Sequence, residues 1–165
     1  MRRIYLLFIL FFTLSCKNRQ ESDFTENKTS VKGLYLSGYS QEGRDWDLKC
    51  EKAEIDEKNK KIKCEKPVIY TLKENKITAE IKGETGIIDM VREKSFIKNN
   101  VRIISEEKKT KLYSSQIYFD SAKNIIWSDS KVKIITEDTE TSALGFSAKP
   151  DLSRINFYKH ETKKI

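Results

Sequence analysis

Any chemistry in this 165-residue chain has to come from three cysteines, one histidine and an aspartate that recurs at a regular interval. Cys16 closes an apolar run, Ile4 to Phe12, that is preceded by Met1-Arg2-Arg3 and followed by Thr13-Leu14-Ser15. These nine residues are too few for a bilayer, which takes about 20, but they fit the hydrophobic part of an export signal. A small residue directly before a Cys is the pattern in which the thiol is acylated and becomes a new N-terminus, although Thr13 stands where a Leu is preferred. Each buried methylene of such an anchor contributes about 0.8 kcal/mol, so multiple acylation would tether the chain firmly. Residues 1–15 are therefore expected to be a lipoprotein-type signal peptide. Residues 16–30, with Phe24 their only large apolar side chain, are expected to be the lipidated Cys and a polar tether.

Cys50 and Cys64 each sit inside the string KCEK. In an exported chain two thiols on neighbouring strands can close a disulfide, and a loop of about 15 residues would contribute roughly 3 kcal/mol. Two buried, reduced cysteines are the alternative, and the sequence leaves both open. With no histidine nearby, neither a zinc site nor a cysteine nucleophile is expected. His160 lies in the charged C-terminal stretch, without the companions a catalytic triad needs. The recurring Asp56, Asp89 and Asp120 are better suited to accepting N–H bonds in turns than to acid–base work. The expectation is a protein that is no enzyme and takes no cofactor and no metal.

These residues must be positioned by repeated strands. The stretch KLYSSQIYFDSAKNIIWSDSKVKIIT, residues 111–136, alternates apolar and polar residues, breaks at a polar turn after Asp120, and resumes the alternation. Asp56, Asp89 and Asp120 are each followed twelve residues later by Val68, Val101 and Val132, and preceded by Ile55, Ile88 or Phe119. A weaker copy runs from Ala143 through Asp151 to Phe157, and the four Asp positions are 33, 31 and 31 residues apart. Self-similarity at such a period marks stacked supersecondary units. The expected interior comprises Ile55, Ile62, Val68, Ile88, Phe96, Val101, Ile103, Phe119, Ile126, Val132 and Ile134. Strand-like edges are expected at Leu34, Tyr35 and Leu36 and at Ile155, Phe157 and Tyr158. The fold domain is placed at residues 31–159, with 160–165 a charged tail.

Composition sets the class of partner. The chain is 38% apolar and 35% charged, a globular balance, and its +7 net charge is spread over strands where Lys and Glu alternate with apolar residues. That describes a solvated outer face. Nucleic-acid binding would want aromatics interleaved on one basic face, and is not expected.

In order and spacing, Leu48 to Glu54, Pro67 to Thr71, Asn100 to Ile103 and above all Ser128-Asp129-Ser130-Lys131-Val132-Lys133-Ile134 resemble the periodic signatures of the LptC family of lipopolysaccharide export proteins, related in fold to LptA and the N-terminal domain of LptD. The resemblance covers residues 31–159. It implies a twisted, partly open antiparallel β-jellyroll built from strand-turn-strand units of about 31–33 residues. It further implies that the lipid A part of lipopolysaccharide lies in the apolar interior and passes from an inner-membrane ABC transporter to an LptA-like bridge. The N-terminal edge would then pair with the transporter's jellyroll and the C-terminal edge with LptA. The implied location is the periplasm, attached to the inner membrane through Cys16, where many relatives use a transmembrane helix instead. Asn99 occupies a place where relatives commonly carry Gly. An LptA-like bridge, or a structural repeat lipoprotein without a ligand, are the competing roles.

Overall fold

The computed structural model describes residues 28–41 and 43–164, and every regular element among them is a strand. In chain order they are β1 (Lys28–Ser40), β2 (Gly43–Asp56), β3 (Lys61–Glu65), β4 (Val68–Lys73), β5 (Lys76–Lys82) and β6 (Thr85–Asp89). β7 (Lys94–Ser105), β8 (Thr110–Asp120), β9 (Ile125–Ile135), β10 (Thr139–Ala148) and β11 (Ile155–Lys164) follow. All pairings are antiparallel, in the order β11-β10-β9-β8-β7-β5-β4-β2, with β3 and β6 forming a second route between β2 and β7. β1 lies along β2, so β1 and β11 are the two edges.

A crease crosses this sheet from strand to strand. β2 pairs with β4 through Lys49 and with β3 from Lys52 onward, and β7 passes from β6 to β5 between Lys98 and Arg102. Register shifts fall at Lys98/Val101, Ser114/Tyr118 and Leu144/Phe146, on the same line. Left-handed backbone at Lys66, Asn99, Asn100 and Gly145 turns the chain there. Such irregularities bend strands and let one sheet fold over itself. The result is two half-sheets whose apolar faces meet in a single core.

The period of two now has a direct meaning. Leu48, Ile69, Ile81, Ile103, Leu112 and Ile134 are register partners across six strands of the first half-sheet. Ile55, Ile62, Ile88, Phe119, Ile126 and Ile155 lie on one such line in the second, with Ser95 between Ile88 and Phe119 and Ala148 between Ile126 and Ile155. Truncating a fully buried member such as Ile103 to Ala would cost about 2–5 kcal/mol, in lost transfer energy and a cavity.

Two residues expected inside face outward. Val68 pairs with Lys49 and Lys82 on the outer face, and its neighbour Ile69 is the buried one. The reason is the left-handed Lys66 and the buried Pro67, which reset the phase as β4 begins. Phe96 is also outside: its ring stacks on Tyr118 at 4.8 Å, and Tyr118 on Trp127 at 5.3 Å, while Ile97 points inward. A cross-strand ladder of aromatics stabilises a sheet without needing the core. Strand structure also reaches beyond its expected limits, starting at Lys28 within the tether and running to Lys164 through the expected tail.

Each repeated aspartate closes a turn. Asp56 accepts the N–H of Asn59, Asp89 those of Val91 and Arg92, Asp120 that of Lys123 and Asp151 that of Ser153. The side-chain and main-chain N–H groups of Asn59 hold the Asp56 carboxyl below the usual carboxylate range, and the main-chain N–H groups of Arg92 and Val91 do the same for Asp89.

Candidate functional site

Between the free margins of the two half-sheets the core opens into a slot. One part, about 440 Å³, is lined by Leu36, Trp46, Leu48, Ile69, Ile88 and Phe119, with Tyr39, Asp89, Met90 and Glu93 at its rim. A second part, about 560 Å³, runs past Arg44, Thr71, Leu72 and Thr78 to Lys149 and Asp151, and shares Trp46 and Phe119 with the first. The strands that place these residues are β1, β2, β4, β5, β6 and β8, so the slot has walls from both half-sheets. Its size falls within the usual range of about 300–1,000 Å³ for ligand sites, and its lining combines aromatic and branched side chains with a few polar groups.

Arg44 lines the second part, and is held by Asp47 and Tyr35, which line neither part. Its guanidinium donates to both carboxylate oxygens of Asp47, at 2.6 and 2.5 Å, and to the Tyr35 hydroxyl, while Ser37 donates to Asp47 at 2.8 Å. Burial works against ionisation of Asp47, but the bonds from Arg44 and Ser37 outweigh it and hold the carboxyl below its ordinary value. Thr71 and Thr78 satisfy each other at 2.9 Å. The arrangement can hold apolar chains against Trp46 and Phe119 with polar groups at the opening. The described residues contain no group of histidines, cysteines and acids that could hold a metal ion.

Of the residues expected to form the interior, Ile88 and Phe119 line the slot. Ile62, Val101, Ile103, Ile126, Val132 and Ile134 are packed in the core, and Ile55 is half-buried against it. Trp46, Leu48 and Ile69 are not among the residues expected inside, though Leu48 stands eight residues before Asp56, as Ile81 and Leu112 do before Asp89 and Asp120, and Trp46 lies two residues earlier on the same face. At the edges, Leu34, Leu36, Ile155 and Phe157 pack against the core, and Tyr35 and Tyr158 point out, Tyr35 with Lys49 over its ring at 5.8 Å. Cys50 and Cys64 are joined in a disulfide, buried where β2 leaves β4 for β3. Cys16, with the rest of residues 1–27, lies outside the described residues. No described helix is long and apolar enough to cross a membrane.

An open, creased antiparallel jellyroll with an apolar slot and, among the described residues, β1 and β11 as its edge strands defines the class to which this chain conforms. It belongs to the LptC family: the model for lipopolysaccharide-assembly, LptC-related proteins matches residues 4–163, nearly the whole chain, and this gives it a role in lipopolysaccharide transport. No curated protein sequence matches it. In fold it is similar to the crystal structure of LptH from Pseudomonas aeruginosa, described as the LptA-homologous periplasmic component of the lipopolysaccharide transport device. The two superpose with a TM-score of 0.55 at 15% identity, over 69% of this chain and 82% of that one.

Proposed function

We propose that this chain is a membrane-attached periplasmic carrier that receives the acyl part of lipopolysaccharide from an inner-membrane ABC transporter and passes it to an LptA-like bridge. The observation that carries this reading is the slot between the half-sheets, where Trp46, Ile69, Ile88 and Phe119 form an apolar lining that opens to the surface. In this reading Cys16 bears the lipid anchor on the inner membrane. β1 offers the edge for the transporter's jellyroll and β11 the edge for the bridge, by strand addition.

Much of the interior is close-packed, with Ile97, Ile103, Leu112, Ile117 and Ile126 fully buried. A multi-chain lipid would therefore enter only as the margins part. The same packing favours, as a second reading, a structural repeat protein without a ligand. A photo-crosslinking amino acid at Phe119 separates the two in cells exporting lipopolysaccharide. The carrier predicts a lipopolysaccharide adduct at position 119 and none at the outward Tyr118. Adducts at Tyr118 alone, or with protein alone, would exclude the slot as the lipid site.

A further inference from the structure

Trp46 and Phe119 are the two large apolar side chains that line both parts of the slot, so their positions decide whether the parts form one space or two. Trp46 is confined on several sides. Its register partner on β4 is Thr71, which is buried and bonded to Thr78 at 2.9 Å, and Leu48 follows it on the same face in the core. Its register partner on β1 is Gly38. A Cβ built on Gly38 would stand 2.6 Å from Cζ2 of the indole and nearer still to Cε2 and Nε1, so the ring lies directly over this residue. Nothing in the backbone asks for glycine here: Gly38 is not one of the left-handed glycines, and within a strand glycine costs order that a β-branched residue would not. The close approach of the ring accounts for it.

We infer that Gly38 is a positioning residue for the slot: by giving the Trp46 indole room over β1, it keeps the two parts continuous for an acyl chain. With Thr71 on one side, Leu48 behind and a side chain at position 38 on the other, the ring could turn only into the slot, whose two parts it already lines. Overpacking a site of this kind drives the neighbouring side chain out of its place. The inference deepens the carrier reading and rests on it. Covering an edge glycine with a cross-strand ring is also a way of steadying a sheet. A ring kept for that purpose alone would make valine at position 38 harmless to lipid binding, so one experiment separates the two roles.

The test uses the full chain in cells exporting lipopolysaccharide, with the photo-crosslinking amino acid at position 119 and the lipopolysaccharide adduct measured per chain recovered. G38V should lower the adduct about fivefold or more. W46L should keep it, because leucine preserves an apolar lining and lacks the ring atoms that a side chain at position 38 would strike. G38V/W46L should then restore the adduct to the W46L level. An undiminished adduct in G38V would overturn the positioning role and leave the carrier reading intact. A loss that persists in G38V/W46L would overturn it as well, since the valine would then act through β1 and not through the indole. Absence of the adduct in all of these chains, the unsubstituted one included, would sink the carrier reading and this inference with it.

Discussion

Reducing the Cys50–Cys64 disulfide should lower stability by an amount set by the loop it closes. The two residues are 14 apart, and a loop of that size removes about 3 kcal/mol of chain entropy from the unfolded state. The β2–β3 hairpin inside the loop is already closed by the ladder from Lys52↔Glu65 to Asp56↔Lys61, so the bond adds little to native order and acts mainly on the unfolded chain. At about 2–4 °C per kcal/mol for a chain of this size, the thermal midpoint should fall by about 6–12 °C on reduction. The assay is thermal unfolding followed by circular dichroism, with and without a phosphine reductant. The C50A/C64A variant should melt near or slightly below the reduced protein, because both sulfurs are buried, and should not respond to reductant. A wild-type midpoint that reductant leaves unmoved, in protein shown to hold no free thiols beforehand, would refute the reasoning.

Gly145→Ala should destabilise by roughly 1–2 kcal/mol. Its φ is +82°, and an added Cβ would stand 2.5 Å from the Tyr158 ring and 3.3 Å from the Ser128 carbonyl; an unchanged melting midpoint would contradict the crease geometry. Because the native Asp56 and Asp89 carboxyls are held below their ordinary value of about 3.9, their contribution is complete above that pH and is lost as pH falls through the depressed native values. Asp89→Asn, still able to accept the Arg92 N–H, should therefore show a flatter decline in melting midpoint between about pH 6 and about pH 2, and an unaltered slope would remove Asp89 from the acid response. A photo-crosslinker at the exposed Tyr158 of β11 should capture an LptA-like partner, while one at Ile87 should not; capture at Ile87 alone would move the contact off the edge.

The repeat was legible because a two-residue period and a fixed Asp spacing are both written in the chain. Asp56, Asp89, Asp120 and Asp151 do close turns, and nine of the eleven residues expected inside are inside or half-buried against the core. Val68 misled because matching it to Val101 and Val132 assumes an unbroken phase, and the left-handed Lys66 breaks it. Phe96 misled because a large aromatic suggests a core, although its phase agrees with the exposed Lys94 and Lys98, and its ring is covered by Tyr118. The slot was the least legible part. Which core positions are packed and which line an opening depends on how far the half-sheets separate, and alternation within single strands says nothing about that distance. Trp46 shows the difference: it sits on the same face as Leu48, but at the margin rather than beside the crease.

The Asp-closed turns divide the chain into places that tolerate change in length and places that do not. An extra residue within β8 would move Ile117 and Phe119 to the solvent side while leaving every bond of the turn after Asp120 possible. The same residue added between Ser121 and Asn124 would lengthen a loop and disturb nothing inside. Drift in such a lineage is channelled accordingly: tips exchange character freely, as Glu57-Lys58, Met90-Val91 and Ser121-Ala122 already do within one molecule, while the count of residues from each aspartate to the crease is held. Two descendants could then share few identities and still be superimposable, and new contacts would arise first at the tips, where they risk the fold least.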